Sequence, residues 1–127
     1  MRVLLDTQAL VILAQEGIEA FSPRVRSMIA DPENDRLLSV VSVTEIAIKA
    51  SIGKLDLTCR DVEGLIQDIR LTVLPYTVSH ATKLFDLPSH HRDPFDRMLI
   101  ATALAECVPL LASDTQFEQY QGLDVIW

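Results

Sequence analysis

Four acidic side chains in this sequence stand where apolar, strand-like runs end or where helical ones begin. Asp6 closes the run Val3-Leu4-Leu5, and Asp114 follows Leu110-Leu111-Ala112 after a single serine. Glu45 opens a helical segment behind Leu37-Leu38-Ser39-Val40-Val41, and Asp96 lies within His91-Arg92-Asp93-Pro94-Phe95-Asp96-Arg97-Met98. Carboxylates gathered without matching Lys or Arg repel one another, so the grouping is destabilising unless a divalent cation joins them. Hard ions such as Mg²⁺ and Mn²⁺ favour carboxylate and water oxygens, and Mg²⁺ uses only a few protein carboxylates together with substrate phosphate. A pair of such ions roughly 3.5–4 Å apart activates a water and stabilises the departing oxygen of a phosphodiester. That route needs no covalent nucleophile, and no serine or cysteine here stands in a recognisable catalytic setting.

Each acid also has a purely structural reading. Asp6 and Asp114 suit helix N-caps, and Asp93 reads as a cap rather than a ligand because Asp-Pro-x-Asp is the expected start of a helix. Asp96 and Glu45 would serve as first-turn acids facing the helix dipole. One such explanation suffices for one residue; four acids at strand ends and adjoining helix starts call for a common cause. His80, His90 and His91 are candidate general bases, with His80 read as the surface-exposed start of a helix. Tyr120 and Trp127 offer rings to a nucleobase, against packing at a strand end for Trp127. Lys49 and Lys54 read as solvated helix-end charges, and with Arg92 and Arg97 they flank the acidic segments.

The elements that must position these residues follow from periodicity and punctuation. Arg2 to Leu5 predicts a buried strand and Thr7 to Gln15 a helix, so the first strand feeds a helix at Asp6. Ser22-Pro23 opens a second helix that Asp31-Pro32 stops. Leu37 to Val41 predicts a strand, and Val43 to Ile52 a helix with Glu45 in its first turn and Gly53 past its end. A helix over 61–69, a strand at Val73-Leu74 and a helix over 79–87 closed by Pro88 come next. Asp93 caps a helix with Pro94 first and Asp96 third; Pro109 ends it, and a strand at 110–112, a short helix at 116–120 and a strand at Val125-Ile126 complete the chain. Alternating strands and helices predict a parallel sheet covered on both faces, with ligands outside the carboxyl ends of its strands.

Length and composition bound the rest. At 127 residues and 49% hydrophobic content the chain predicts a single domain, 1–127, with one sizeable core. No apolar run approaches the ~20 residues that span a bilayer, and Asp6 interrupts the first apolar stretch where a signal peptide would continue. A cytoplasmic protein without membrane attachment is expected. Cys59 and Cys107 lack metal-site spacing and predict reduced thiols. The formal charge of −7 weighs against a nucleic-acid partner, although cations in an acidic pocket would offset part of it locally.

With the acids placed, the chain resembles PIN-domain ribonucleases, specifically the VapC-type toxins of VapBC toxin–antitoxin pairs. The resemblance spans nearly the whole sequence: Leu4-Leu5-Asp6-Thr7, then Ser42-Val43-Thr44-Glu45-Ile46-Ala47-Ile48-Lys49 with Gly53-Lys54-Leu55, then His91 to Ala101, then Ser113-Asp114 with Phe117. It implies a three-layer α/β/α sandwich around a mainly parallel sheet. It implies that Asp6, Glu45, Asp96 and Asp114 are catalytic and bind Mg²⁺, with Mn²⁺ as a substitute and Asp93 as an alternative third ligand. Thr7 and Ser113 would be supporting hydroxyls. The implied activity is endoribonucleolytic cleavage of RNA by a metal-activated water, with a VapB-like antitoxin occupying the pocket and a homodimer as the unit. Some members carry a further acid after the last one, where this chain has Thr115-Gln116. A PIN-like protein-interaction module without catalysis is the alternative. Receiver domains and Asp-nucleophile phosphatases fit less well, because Gln8 stands where a second Asp would be needed and no Lys follows Lys83.

Overall fold

The computed structural model describes all residues, 1–127. The chain runs β1 (Arg2–Leu5), α1 (Thr7–Gln15), α2 (Pro23–Ala30), β2 (Asp35–Ser39), α3 (Val40–Ser51), α4 (Cys59–Asp68), β3 (Thr72–Leu74), α5 (Val78–Thr82), α6 (Pro94–Glu106), β4 (Leu110–Leu111) and β5 (Val125–Ile126). Short 3₁₀ segments occupy Ile18–Ala20, Lys83–Asp86 and Thr115–Gln119. Every strand pair is parallel, in the order β3-β2-β1-β4-β5. Connections from β1 step outward through β2 to β3, and the chain then returns to lay β4 on the other side of β1. The order therefore reverses between β1 and β4, the place where sheets of this kind open a crevice at the strands' carboxyl ends.

Side chains alternate across the strands and so divide the core into two layers. Val3 and Leu5 of β1, with Leu38, Leu111 and Ile126, pack against Ala9, Leu10 and Leu13 of α1, Val25 and Ile29 of α2, and Ile46 of α3. Leu4, Leu37 and Leu110 point the other way, onto Leu99, Ile100 and Ala103 of α6 and onto Phe117 and Tyr120. Full burial of such a side chain contributes about 1.5–3 kcal/mol over leaving it exposed. The result is the expected α/β/α sandwich around a five-stranded parallel sheet. No helix is long and apolar enough to cross a membrane. Cys59 and Cys107 are free and exposed.

Two expectations change. The second strand ends at Ser39 rather than Val41, because the Ser39 hydroxyl accepts from the Val41 N–H at 3.0 Å and starts α3 there. Glu45 thus sits in the second turn of α3, not the first. The helix foreseen over 79–87 is a single α-turn, Val78–Thr82, tightened into a 3₁₀ segment that turns Leu87 into the core before Pro88.

Candidate metal centre

Local hydrogen bonds bring the four acids to one end of the sheet. The Asp6 N–H donates to the Leu111 carbonyl at 3.1 Å, which ties the end of β1 to the end of β4 and sets Asp6 near Ser113 and Asp114. Asp6 also caps α1, its Oδ1 accepting from the Ala9 N–H at 2.7 Å. Thr7 Oγ1 and Ser42 Oγ lie 3.0 Å apart in the interior and pin the start of α1 to α3. One turn on, α3 presents Glu45, 4% exposed. Asp93 caps α6 by accepting from the N–H groups of Phe95 and Asp96 at 2.8 and 3.1 Å, and Pro94 at the first helical position leaves Asp96 at the third. Asp114 Oδ1 accepts from the Gln116 N–H at 2.9 Å and caps the last 3₁₀ segment.

These elements enclose a cleft of about 290 Å³ lined by Asp6, Thr7, Glu45, Lys49, Asp93, Asp96, Ser113 and Asp114, with Gln8, Val11, Leu55 and Phe117. As the side chains stand, no three acids, histidines or cysteines converge as ligands on one point. They do sense one another electrically. Burial, then the charges of Asp96, Glu45 and Asp114, raise Asp6 to about 7 against the opposing pull of its Ala9 hydrogen bond. Burial, then Asp93, Glu45 and Asp114, raise Asp96 to about 6. Glu45 Oε1 is buried without a hydrogen-bond partner. A buried carboxylate oxygen left unpaired, beside two acids held above their usual range, is a strain that an added positive charge would relieve. The donors are all hard oxygens, which suits Mg²⁺ or Mn²⁺ over zinc.

Lys49 was read from sequence as a solvated charge, yet its Nζ lies 2.6 Å from Glu45 Oε2, one helical turn away, inside the cleft. Glu45 in turn raises the Lys49 ammonium above its ordinary value. The Glu-x-x-x-Lys spacing carried that signal. His91, a candidate base from sequence, is buried, with Nε2 3.5 Å from Asp114 Oδ2. His80, expected at the surface, is buried instead: its Nδ1 accepts from the Thr77 N–H at 3.1 Å and its Nε2 meets Glu106 at 3.2 Å, on α6 and outside the residues lining the cleft. Arg97 spends its guanidinium on the carbonyls of Leu87, Pro88 and His91. Tyr120 is buried, and Trp127 packs edge-on against Phe21 with ring centroids 5.5 Å apart.

A second cleft, between α3 and α4, is apolar, about 500 Å³ in volume, and lined mainly by Val43, Ile46, Ala47, Ala50, Leu57, Val62 and Ile66.

The family model described as PIN domain matches residues 3–123. No curated protein matches the chain in sequence. Among solved structures, the chain is similar to one in VapBC2 from Rickettsia felis bound to a DNA fragment from their promoter, at 14% identity and TM-score 0.76 over 99% of this chain and 98% of that one. It is similar to one in DNA-bound VapBC from Salmonella typhimurium, at 16% identity and TM-score 0.70 over 99% and 97%. FitAcB from Neisseria gonorrhoeae follows at 20% identity and TM-score 0.60 over 98% and 96%. At these identities the likenesses speak for the fold alone.

Proposed function

The chain belongs to the PIN-domain family, and from that premise we propose that it is a Mg²⁺- or Mn²⁺-dependent endoribonuclease acting as the toxin of a toxin–antitoxin pair. The observation that carries this reading is the single cleft lined by Asp6, Glu45, Asp96 and Asp114, with a buried Glu45 oxygen left unpaired. These four residues would hold the cation, with Asp93 engaged as a helix cap. When bound, a divalent ion would supply Lewis-acid activation of water and charge neutralisation at the phosphodiester.

The chain's own residues prepare that chemistry. Capping occupies one oxygen each of Asp6 and Asp114, so hydrogen bonds restrain both side chains before any ligand arrives. Lys49 holds Glu45 and offers an ammonium to a phosphate once a cation takes its place. A cleft this acidic repels an RNA backbone until its charge is offset, so cation and substrate binding are coupled. Asp6→Asn and Asp96→Asn are expected to abolish cleavage of a mixed RNA substrate in Mn²⁺ while keeping the native circular dichroism spectrum. Full activity in either variant removes that residue from the catalytic set.

The partner proposed is a VapB-like antitoxin, by analogy with the VapBC complexes whose chains share this fold. Its apolar segment would lie in the cleft between α3 and α4, and a basic side chain would enter the acidic cleft, where a guanidinium pairs with a carboxylate through two hydrogen bonds. A homodimer is proposed as the unit, to be checked by light scattering. Two observations favour the rival reading of a non-catalytic interaction module: Lys49 already pairs with Glu45, and no three acids converge. Mn²⁺ binding to the free chain separates the two.

A further inference from the structure

His91 is a buried histidine whose ring is held by two aromatic neighbours and, at Nδ1, by a phenol. It stacks on Phe117, centroids 4.7 Å apart and planes 19° off parallel, and on Tyr120 at 5.5 Å and 25°. The Tyr120 hydroxyl accepts from the His91 backbone N–H at 2.9 Å and lies 3.0 Å from its Nδ1. A phenol has one proton to give and two lone pairs. If Nδ1 carried the imidazole proton, the hydroxyl would accept twice and its own proton would be left buried without an acceptor, since Tyr120 is 2% exposed. With the hydroxyl donating to Nδ1, both groups are satisfied, and the ring proton must sit on Nε2. That Nε2 has no hydrogen-bond partner and lies 3.5 Å from Asp114 Oδ2, slightly beyond hydrogen-bond length. Asp114 is exposed and has room to close the gap, with its other oxygen already held by the Gln116 N–H.

We infer that Tyr120 and His91 form a relay that positions Asp114: the phenol sets the imidazole tautomer, and the Nε2–H fixes the second carboxylate oxygen so that Asp114 faces the cleft as a ligand. His91 is thus a positioning residue, acting through Asp114. The inference deepens the cation-dependent reading and rests on it for the consequence, though not for the tautomer. Loss of such a supporting hydrogen bond to a ligand costs roughly 10–100-fold in metal affinity.

The test pairs a metal-free spectrum with a titration. Long-range proton–nitrogen correlation spectra of the EDTA-treated protein are expected to show His91 protonated at Nε2 and bare at Nδ1, with the pattern shifting toward a mixture in Tyr120→Phe. Mn²⁺ affinity by calorimetry is expected to fall roughly 10–100-fold in His91→Phe, which keeps the ring stack and deletes both nitrogens, and to recover in His91→Gln, which restores a donor at the Nε2 position. An Nδ1-protonated His91 in the wild type overturns the relay, as does unchanged Mn²⁺ affinity in a folded His91→Phe. Should His91→Phe fail to fold, Tyr120→Phe and His91→Gln carry the same comparison. A wild-type chain that binds no Mn²⁺ defeats the cation reading instead, and the relay then stands or falls on the tautomer.

Discussion

Asp6 serves two ends with one side chain, capping α1 through Oδ1 while its carboxyl lies among three others in the cleft. Cap and ligand were competing readings in the sequence, and the geometry allows both. The cluster has a measurable cost in the metal-free protein. Unfolded, an Asp titrates near 3.8; folded, burial and the neighbouring acids raise Asp6 to about 7 and Asp96 to about 6. Between pH 4 and 7 the native state therefore holds protons that the unfolded state has lost, so stability falls as pH rises through this window and the full penalty is in place above pH 7. The melting temperature in EDTA is expected to be higher at pH 5.5 than at pH 8, and Asp6→Asn should flatten that difference. Saturating Mn²⁺ should reverse the trend, because its ligands must be deprotonated. A melting temperature in EDTA that climbs from pH 5.5 to 8 would argue against a repulsive cluster. Lys49 makes a complementary case. Replacing it with Met leaves Glu45 buried and unpaired, so the metal-free melting temperature should drop, yet Mn²⁺ should bind several-fold more tightly for want of a competing ammonium. Weaker Mn²⁺ binding in calorimetry would mean that Lys49 supports the site rather than competing for it.

At the scale of elements, caps decide which acids are free to act. Asp93 uses Oδ1 on two backbone N–H groups at the start of α6. Asp93→Asn should keep most of the activity because Asn caps nearly as well, whereas Asp93→Ala should lose about 1 kcal/mol of stability. Equal loss of Mn²⁺ affinity in Asp93→Asn and Asp96→Asn, measured side by side, would make Asp93 a ligand. Punctuation of this kind was legible in the sequence: Ser22-Pro23, Asp93-Pro94, Gly53 and Pro109 mark the boundaries they were expected to mark, with Gly53 at φ +74°. The miss at β2 has a physical cause. Val40 and Val41 are β-branched and read as strand, but one hydroxyl, that of Ser39, ends the strand two residues early and starts α3 three residues before Val43. The consequence bears on function, since a second-turn Glu45 lies beyond the reach of the helix dipole and that structural explanation for it is lost. The sequence misplaces His80 and is silent on the setting of His91 for another reason. Their burial depends on Glu106 and Tyr120, 26 and 29 residues away, and no local pattern announces partners at that distance.

For the whole molecule, the site follows from strand order. β4 returns to the side of β1 opposite β2, so Asp6 and Asp114 leave adjacent strand ends, while α3 and α6 bring Glu45 and Asp96 from beside them. Parallel alternation predicted a crevice at that end of the sheet but could not supply the order of strands, which depends on pairing across the full chain. The acidic cleft and the apolar cleft between α3 and α4 share α3, which suits a partner that grips one and plugs the other. A copurified antitoxin is therefore expected to lower the apparent affinity of the complex for Mn²⁺ relative to the free chain; equal affinity in a fully inhibited complex would point to blockage of the RNA path instead. On the proposed reading, the four carboxylates work through a divalent cation on RNA. Cleavage of end-labelled RNA by the purified chain, stripped with EDTA and then titrated with Mn²⁺, tests this. The expected result is no cleavage in EDTA, a rise that saturates with Mn²⁺, and no rise in Asp6→Asn; cleavage at the same rate in EDTA, or an undiminished response in Asp6→Asn, would contradict it.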